Sequence, residues 1–288
     1  MTDTSAHLDP TAGTARLLTM ISDQLGSGLS QVSRRGLRPD PALVLVAHGS
    51  RDPRALTTVR ELVERIREQR PGLTVRLGHI ELNEPLLTDV LAGLPAGGRA
   101  VLVPLLLSRG HHVKHDLPRA AEAAGHLFTR VADPLGPHPL LVDVLHERLL
   151  AAGWPGRLTE RGRRRAGVVL AAAGSRDPEA DTDTRRTAAL LALRLGVPVV
   201  PAYASGPAAD VATAVRAFAA RGRHRLALAS YFTAPGRFAT ESAAAFAQGP
   251  GVVAAPLGAH PDLARLALHR YDSALLDPAR TARHLASA

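Results

Sequence analysis

The chain of 288 residues contains no cysteine. Disulfides, thiolate metal sites and cysteine nucleophiles are therefore excluded, and any metal chemistry must use imidazole, carboxylate or backbone oxygen. Aromatic residues make up only 3%. Ala, Leu and Val must fill the core, and the stacking platforms that single-stranded nucleic acid needs are scarce. Lysine is nearly absent too. Lys114 is the only one, and the rest of the 35 basic residues are arginines. The formal net charge is +9, without a long basic run. That balance suits a small polyanion, and nucleic acid is not expected as a partner. The plainer alternative is a set of solvated, arginine-rich helix faces. No apolar run reaches the length of a membrane span, and VLVPLLL at 101–107 is strand-sized. The N-terminus lacks the basic-then-apolar pattern of a secretory signal. A soluble cytoplasmic protein with no membrane partner is expected.

What is present is a segment written twice. Residues 43–53 read LVLVAHGSRDP and residues 168–178 read VVLAAAGSRDP. The ends of the two copies match as well: DPLGPHPLLVDVLHERL at 133–149 against APLGAHPDLARLALHRY at 255–271. A nearly constant offset along the whole unit indicates duplication. Within the first copy, apolar runs at 43–47, 74–82, 99–107 and near 129–132 read as strands. Helical periodicity at 54–69 places Leu56, Val59, Leu62, Val63 and Ile66 on one face. Further helices are expected at 85–94, from 118 and at 139–151, with SRGHHVKHDLP as a long polar loop. Such alternation predicts an α/β fold of two tandem βα-repeat domains, each a mostly parallel four-stranded sheet flanked by helices. The expected domains are 42–152 (catalytic) and 167–275 (a degenerate repeat), joined by a basic linker at 153–166. Residues 1–41 form an extension, expected to be flexible apart from an amphipathic piece at 17–29, and 276–288 form a tail.

Ligands of parallel sheets bind at the carboxyl ends of the strands. There the first copy carries His48, Glu81 with Glu84 just after, and His111, His112 and His115. Imidazoles with a carboxylate suit a divalent transition metal, and the same groups can accept protons near neutral pH. In the second copy Ala173 replaces His48. Aligning Pro85 with Pro207 puts Tyr203 opposite Glu81, and aligning Gly110 with Gly236 puts Phe238 opposite His112. Three losses in one copy are hard to explain by packing alone. Ser50 and Asp52 recur as Ser175 and Asp177, which argues for turn and cap roles. His138 recurs as His260 and reads as structural, and His111 and His115 read as solvated imidazoles.

The set AHGSRDP, a strand ending E-L-x-E-P, and P-L-x-L-x-x-G-x-H-V-K-x-D-L-P resembles the sirohydrochlorin chelatase family of class II tetrapyrrole chelatases. The resemblance covers about residues 42–272, the second half as a degenerate copy. It implies chelatase-like domains that insert Fe²⁺, here favoured, or Co²⁺ into sirohydrochlorin without ATP, in siroheme or cobalamin biosynthesis. It implies His48, Glu81 and His112 as catalytic and metal-binding residues, with no permanently bound cofactor. Sirohydrochlorin is a polycarboxylate, and Arg51, Arg109, Lys114, Arg176 and Arg237 could clamp it. One chain holding both copies suggests a monomer. A non-catalytic metal carrier or sensor using the same His/Glu site is the alternative, and it expects no macrocycle-sized cleft. A phosphohistidine enzyme would want an arginine where Ala47 stands, and no G-x-S-x-G elbow occurs.

Overall fold

A computed structural model of the protein describes residues 40–206, 208–247 and 251–277. The expected extension, its amphipathic piece and nearly all of the tail lie outside the described residues. The first copy runs β1 (Ala42–Ala47), α1 (Pro53–Gln69), β2 (Val75–His79), α2 (Leu87–Ala92) and β3 (Arg99–Pro104). A π-helical turn (His112–Asp116) then leads into α3 (Leu117–Ala123), β4 (Phe128–Val131) and α4 (Pro139–Ala151). After α5 (Glu160–Arg165), the second copy runs β5 (Ala166–Ala172), α6 (Pro178–Leu195), β6 (Val199–Tyr203), α7 (Val211–Ala219), β7 (Arg225–Ser230), α8 (Arg237–Phe246), β8 (Gly251–Val253) and α9 (Pro261–Leu276).

Two four-stranded parallel sheets result, ordered β2-β1-β3-β4 and β6-β5-β7-β8. The predicted α/β duplication is therefore present. β1 and β5 are buried along their whole length, as their continuous apolar runs require. Helix α1 turns Val59, Leu62, Val63 and Ile66 inward, four of the five residues read onto that face, whereas Leu56 is only partly buried. The recurrent Asp52 and Asp177 are N-caps: each carboxylate accepts a backbone N–H two residues on, from Arg54 and Glu179. Ser50 and Ser175 each accept the N–H of that aspartate.

Several boundaries differ from the expected ones. The second strand ends at His79, because the backbone turns there to hydrogen-bond the end of β1: Ile80 N–H donates to Ala47 O and Glu81 N–H to His48 O. The polar loop 108–118 is helical from His112 onward, since nothing between His111 and Leu117 breaks a helix and Leu117 is fully buried behind it. Within the segment read as a basic linker, Glu160–Arg165 is helical, with Thr159 Oγ1 accepting the Gly162 N–H. Helix α6 starts at Pro178, directly after its cap Asp177.

The two copies share one core. One face of each sheet is covered separately, by α2 and α3 in the first copy and by α7 and α8 in the second. The other faces merge into a single apolar cluster through an exchange of final helices. Helix α4 packs on α6 and β7 of the second copy, while α9 packs on α1, β3 and α4 of the first. Polar contacts follow the exchange. Arg70 forks onto Asp272 at 2.6 and 2.7 Å, and the buried Tyr271 hydroxyl donates to Pro41 O at 2.7 Å. Arg148 donates to Leu257 O, and Tyr231 donates to Leu107 O at 2.9 Å. Gly136 permits that last approach, since a Cβ there would lie 2.3 Å from the Tyr231 hydroxyl.

Candidate active site

The shared core turns the carboxyl ends of both sheets toward each other across a pseudo-two-fold axis. A Cβ on Gly110 would lie 3.7 Å from Ser175 Oγ, and one on Gly236 would lie 3.6 Å from Ser50 Oγ. Between the loops lies a cleft of about 1660 Å³, walled by both copies. That exceeds the few hundred to about 1,000 Å³ of an ordinary small-molecule pocket.

The first wall holds the candidate ligands. His48 follows β1, and Gly49 behind it has φ 102°, open to glycine but rare for other residues. A Cβ at Gly49 would stand 1.8 Å from Glu81 O. This close approach brings the first loop against the end of the second strand. His48 Nε2 then lies 3.6 Å from Glu81 Oε1, both side chains being about half exposed. His48 Nδ1 is 3.3 Å from Gly49 O. A carbonyl only accepts, so Nδ1 donates there, and Nε2, the acceptor atom of the neutral ring in that tautomer, is the one beside the carboxylate. Two acceptors so placed favour a cation between them. Leu82, next to Glu81, has φ 67°, a strained conformation that keeps the short turn after β2 in place.

His112 enters from the π-helical turn, its ring perpendicular to that of His48 with centroids 4.7 Å apart. Its Nδ1 is 2.6 Å from Asp116 Oδ2. The carboxylate accepts there, leaving His112 Nε2 as the free donor atom, the arrangement that orients and strengthens an imidazole ligand. Asp116 thereby joins the candidate site, a residue to which the sequence alone assigns no role. Its spacing, four after His112 on a helical turn, is the signal that points to it. Among the described residues, no three His, Asp or Glu side chains are already closed around one ion-sized point. His48, Glu81 and His112 line the cleft together, with His48 next to both of the others.

The second wall lacks this set, though one equivalence changes. Ala47 pairs with His79 and Ala172 with Tyr203, so Tyr203 corresponds to His79. Glu81 corresponds to Ser205, whose carbonyl meets Gly174 as that of Glu81 meets Gly49. The anchor on Pro207 was displaced: His79 N–H donates to Pro85 O, whereas Tyr203 N–H donates to Ala209 O. Ser205 spends its hydroxyl on Ala173 O at 2.7 Å. Tyr203 donates to Asp181 at 2.5 Å, and burial first, then that carboxylate, push its phenol above the ordinary range.

Of the five cations expected around the site, Arg51, Arg176 and Arg237 line the cleft. The Arg237 guanidinium lies over the Phe238 ring at 4.6 Å. Arg109 and Lys114 have another occupation. Arg109 gives Asp183, a fully buried carboxylate, its backbone N–H at 3.0 Å, Nε at 3.0 Å and Nη2 at 2.6 Å. That pairing raises its pKa further. Lys114 bridges Asp177 at 2.7 Å and Glu179 at 2.9 Å, which raises its pKa as well. Both hold the first copy onto the start of α6, and neither is among the cleft-lining residues.

These features define a class: a duplicated parallel α/β protein with candidate metal ligands at the strand ends of one copy and arginines of both copies lining the cleft between them. A family model described as CbiX matches residues 42–152 and again 167–274, and the chain belongs to that family. It is 30% identical over 122 residues to the chloroplastic sirohydrochlorin ferrochelatase of Arabidopsis thaliana, covering 40% of this chain and 54% of that protein. It is 36% identical over 80 residues to the sirohydrochlorin cobaltochelatase of Methanococcus aeolicus, covering 27% and 56%. The chain thus spans about half the length of these curated relatives. Among solved structures, SirB from Bacillus subtilis with Fe³⁺ superposes with a TM-score of 0.66 at 22% identity, over 82% of this chain and 96% of that one. The CbiX described as the terminal enzyme of siroheme biosynthesis in denitrifying bacteria gives 0.61 at 21%, over 81% and 99%. These two likenesses establish the fold. Among the described residues, no helix is long and apolar enough to cross a membrane.

Proposed function

We propose that this chain inserts a divalent metal ion into sirohydrochlorin, without ATP and without a permanently bound cofactor. The observation that carries the reading is the asymmetry of the cleft. His48, Glu81 and His112 stand on one wall, the equivalent positions opposite are Ala173, Ser205 and Phe238, and Arg51, Arg176 and Arg237 line the space between. The cleft's size argues against a bare metal carrier, which needs no such volume.

The chemistry follows from the groups. Insertion must remove pyrrolic protons and exchange the metal's ligands for ring nitrogens. Guanidinium groups on both walls suit a polycarboxylate and fix its plane between them. The Nε2 atoms of His48 and His112 and the Glu81 carboxylate can hold the substrate metal loosely against one face of the ring. An imidazole that releases the metal is left neutral and can take up a proton. Because one chain supplies both walls, the reading needs only a monomer. Imidazole and carboxylate accept Fe²⁺ and Co²⁺ alike, and relatives named for each metal exist. Fe²⁺ is the first metal to test, for a place in siroheme synthesis, and Co²⁺ the second, for cobalamin.

The assay is anaerobic incubation of the purified chain with sirohydrochlorin and either metal, followed by absorbance. Insertion above the uncatalysed rate is expected. His48→Ala should abolish most of it, and Ser175→Ala, at the corresponding loop of the other copy, should retain most. No acceleration with either metal overturns the reading, and a larger loss in Ser175→Ala overturns the assignment of the active copy.

A further inference from the structure

We propose that His111 and His115 form a second, outer binding site for a divalent transition-metal ion at the rim of the cleft, which supplies the inner group. The role of the captured ion rests on the chelatase reading, but the site itself does not.

The two histidines are four residues apart on a turn that is helical, so they share a face. Their ring centroids are 4.7 Å apart at an interplanar angle of 40°. Both are exposed, His111 at 70% of its side chain, and His111 makes no side-chain cap bond to the turn. Neither the core nor the helix needs them. The carboxylate that orients His112 also faces this pair: Asp116 Oδ2 lies 2.6 Å from His112 Nδ1, and Oδ1 lies 3.9 Å from His111 Nε2. One aspartate therefore stands between His111 of the outer pair and the inner His112, and the rings of His111 and His112 are 6.2 Å apart.

Electrostatics supply the reason for such a site. The formal net charge of +9 over the chain favours the approach of a polyanion and disfavours that of a divalent cation. Two exposed imidazoles, one of them near the Asp116 carboxylate, offer the cation a first foothold. The nearest cation in sequence, Lys114, is committed to Asp177 and Glu179. Two protein imidazoles completed by water make a loose site, as transfer to a neighbouring ligand requires.

The test uses the full chain without an affinity tag and Co²⁺ as the probe, by calorimetric titration and by the metal dependence of insertion. His111→Ala/His115→Ala is expected to bind one Co²⁺ fewer than the parent. The Co²⁺ concentration for half-maximal insertion should rise about tenfold, as for a lost supporting interaction, with the rate at saturating metal unchanged. His112→Ala should keep the outer ion and lose insertion. Equal Co²⁺ stoichiometry in parent and double variant, or an unchanged metal dependence, overturns the outer site. If no macrocycle is metallated by the parent but the double variant still loses one bound ion, the outer site stands and the chelatase reading falls.

Discussion

At the scale of single residues, the most informative contact is the 2.6 Å pair between His112 Nδ1 and Asp116 Oδ2. It fixes both the tautomer and the direction of the ring. Asp116→Asn removes the charge, and an amide can turn its NH₂ toward Nδ1 and favour the wrong tautomer. We expect Co²⁺ affinity at the inner site to fall by about 10- to 100-fold, with the thermal melting point little changed because Asp116 is only partly buried. Titration of Co²⁺ by its visible absorption would decide it, and an unaltered affinity and spectrum would show that Asp116 has no hold on His112. The candidate ligands themselves were legible in the sequence because the duplication supplies its own control: Ala173 beside an otherwise intact GSRDP marks His48. Asp116 was less legible because its spacing from His112 matters only on a helical turn, which the polar run SRGHHVKHDLP does not announce. The ion pairs of Arg109 and Lys114 were not legible, because their partners, Asp183, Asp177 and Glu179, lie in the other copy and no local pattern announces them.

At the scale of elements, buried strands and amphipathic helices followed from the sequence, while the His-rich turn did not. β1 and α1 carry strong apolar patterns. SRGHHVKHDLP carries none until Leu117, so its helicity depends on docking and leaves no periodic trace. The PLGxHP repeats were also readable, as caps. His138 Nδ1 accepts the Leu140 N–H at 3.2 Å at the start of α4, and His260 does the same for Asp262 at the start of α9. These are the two exchanged helices, so their caps fix where each chain crosses. Burial, then Arg270 and His269, lower the pKa of His138 to about 4 from 6.5. The folded state therefore keeps this imidazole neutral while the unfolded chain protonates near 6.5. Its contribution is complete above that value and is lost as pH falls toward 4. By pH 5 the loss should be on the order of 1 kcal/mol, since His138 is only partly buried. Burial lowers the pKa of His79 and His146 too, so they add in the same direction. Asparagine caps a helix without titrating. The urea midpoint of His138→Asn should thus fall less between pH 7 and pH 5 than that of the parent. Equal falls would remove His138 from the account.

At the scale of the whole molecule, the exchange of α4 and α9 explains why the copies diverged without separating. Each sheet leaves one face to be covered by the other copy's last helix, so neither half encloses its own core. The sequence shows that these helices have apolar faces, but not which sheet receives them, because a duplicated pattern fits either. The same arrangement keeps the second copy indispensable to the shared core whatever its strand-end loops carry. The contact that locks the walls near the site is Arg109 on Asp183, whose carboxylate is completely buried and takes three N–H donors from that one residue. Arg109→Ala leaves this carboxylate with the backbone N–H alone, and we expect a loss of about 3–5 kcal/mol in urea denaturation. Removing both charges with Arg109→Met/Asp183→Leu should recover much of that, since an apolar pair of similar volume avoids the unpaired buried charge. A substrate clamp would behave differently. Stability would then be nearly unchanged in Arg109→Ala, and the KM for sirohydrochlorin would rise in both variants alike. The structure favours the first outcome because the guanidinium is already engaged by Asp183 and Glu179, and the Asp183 it neutralises is completely buried.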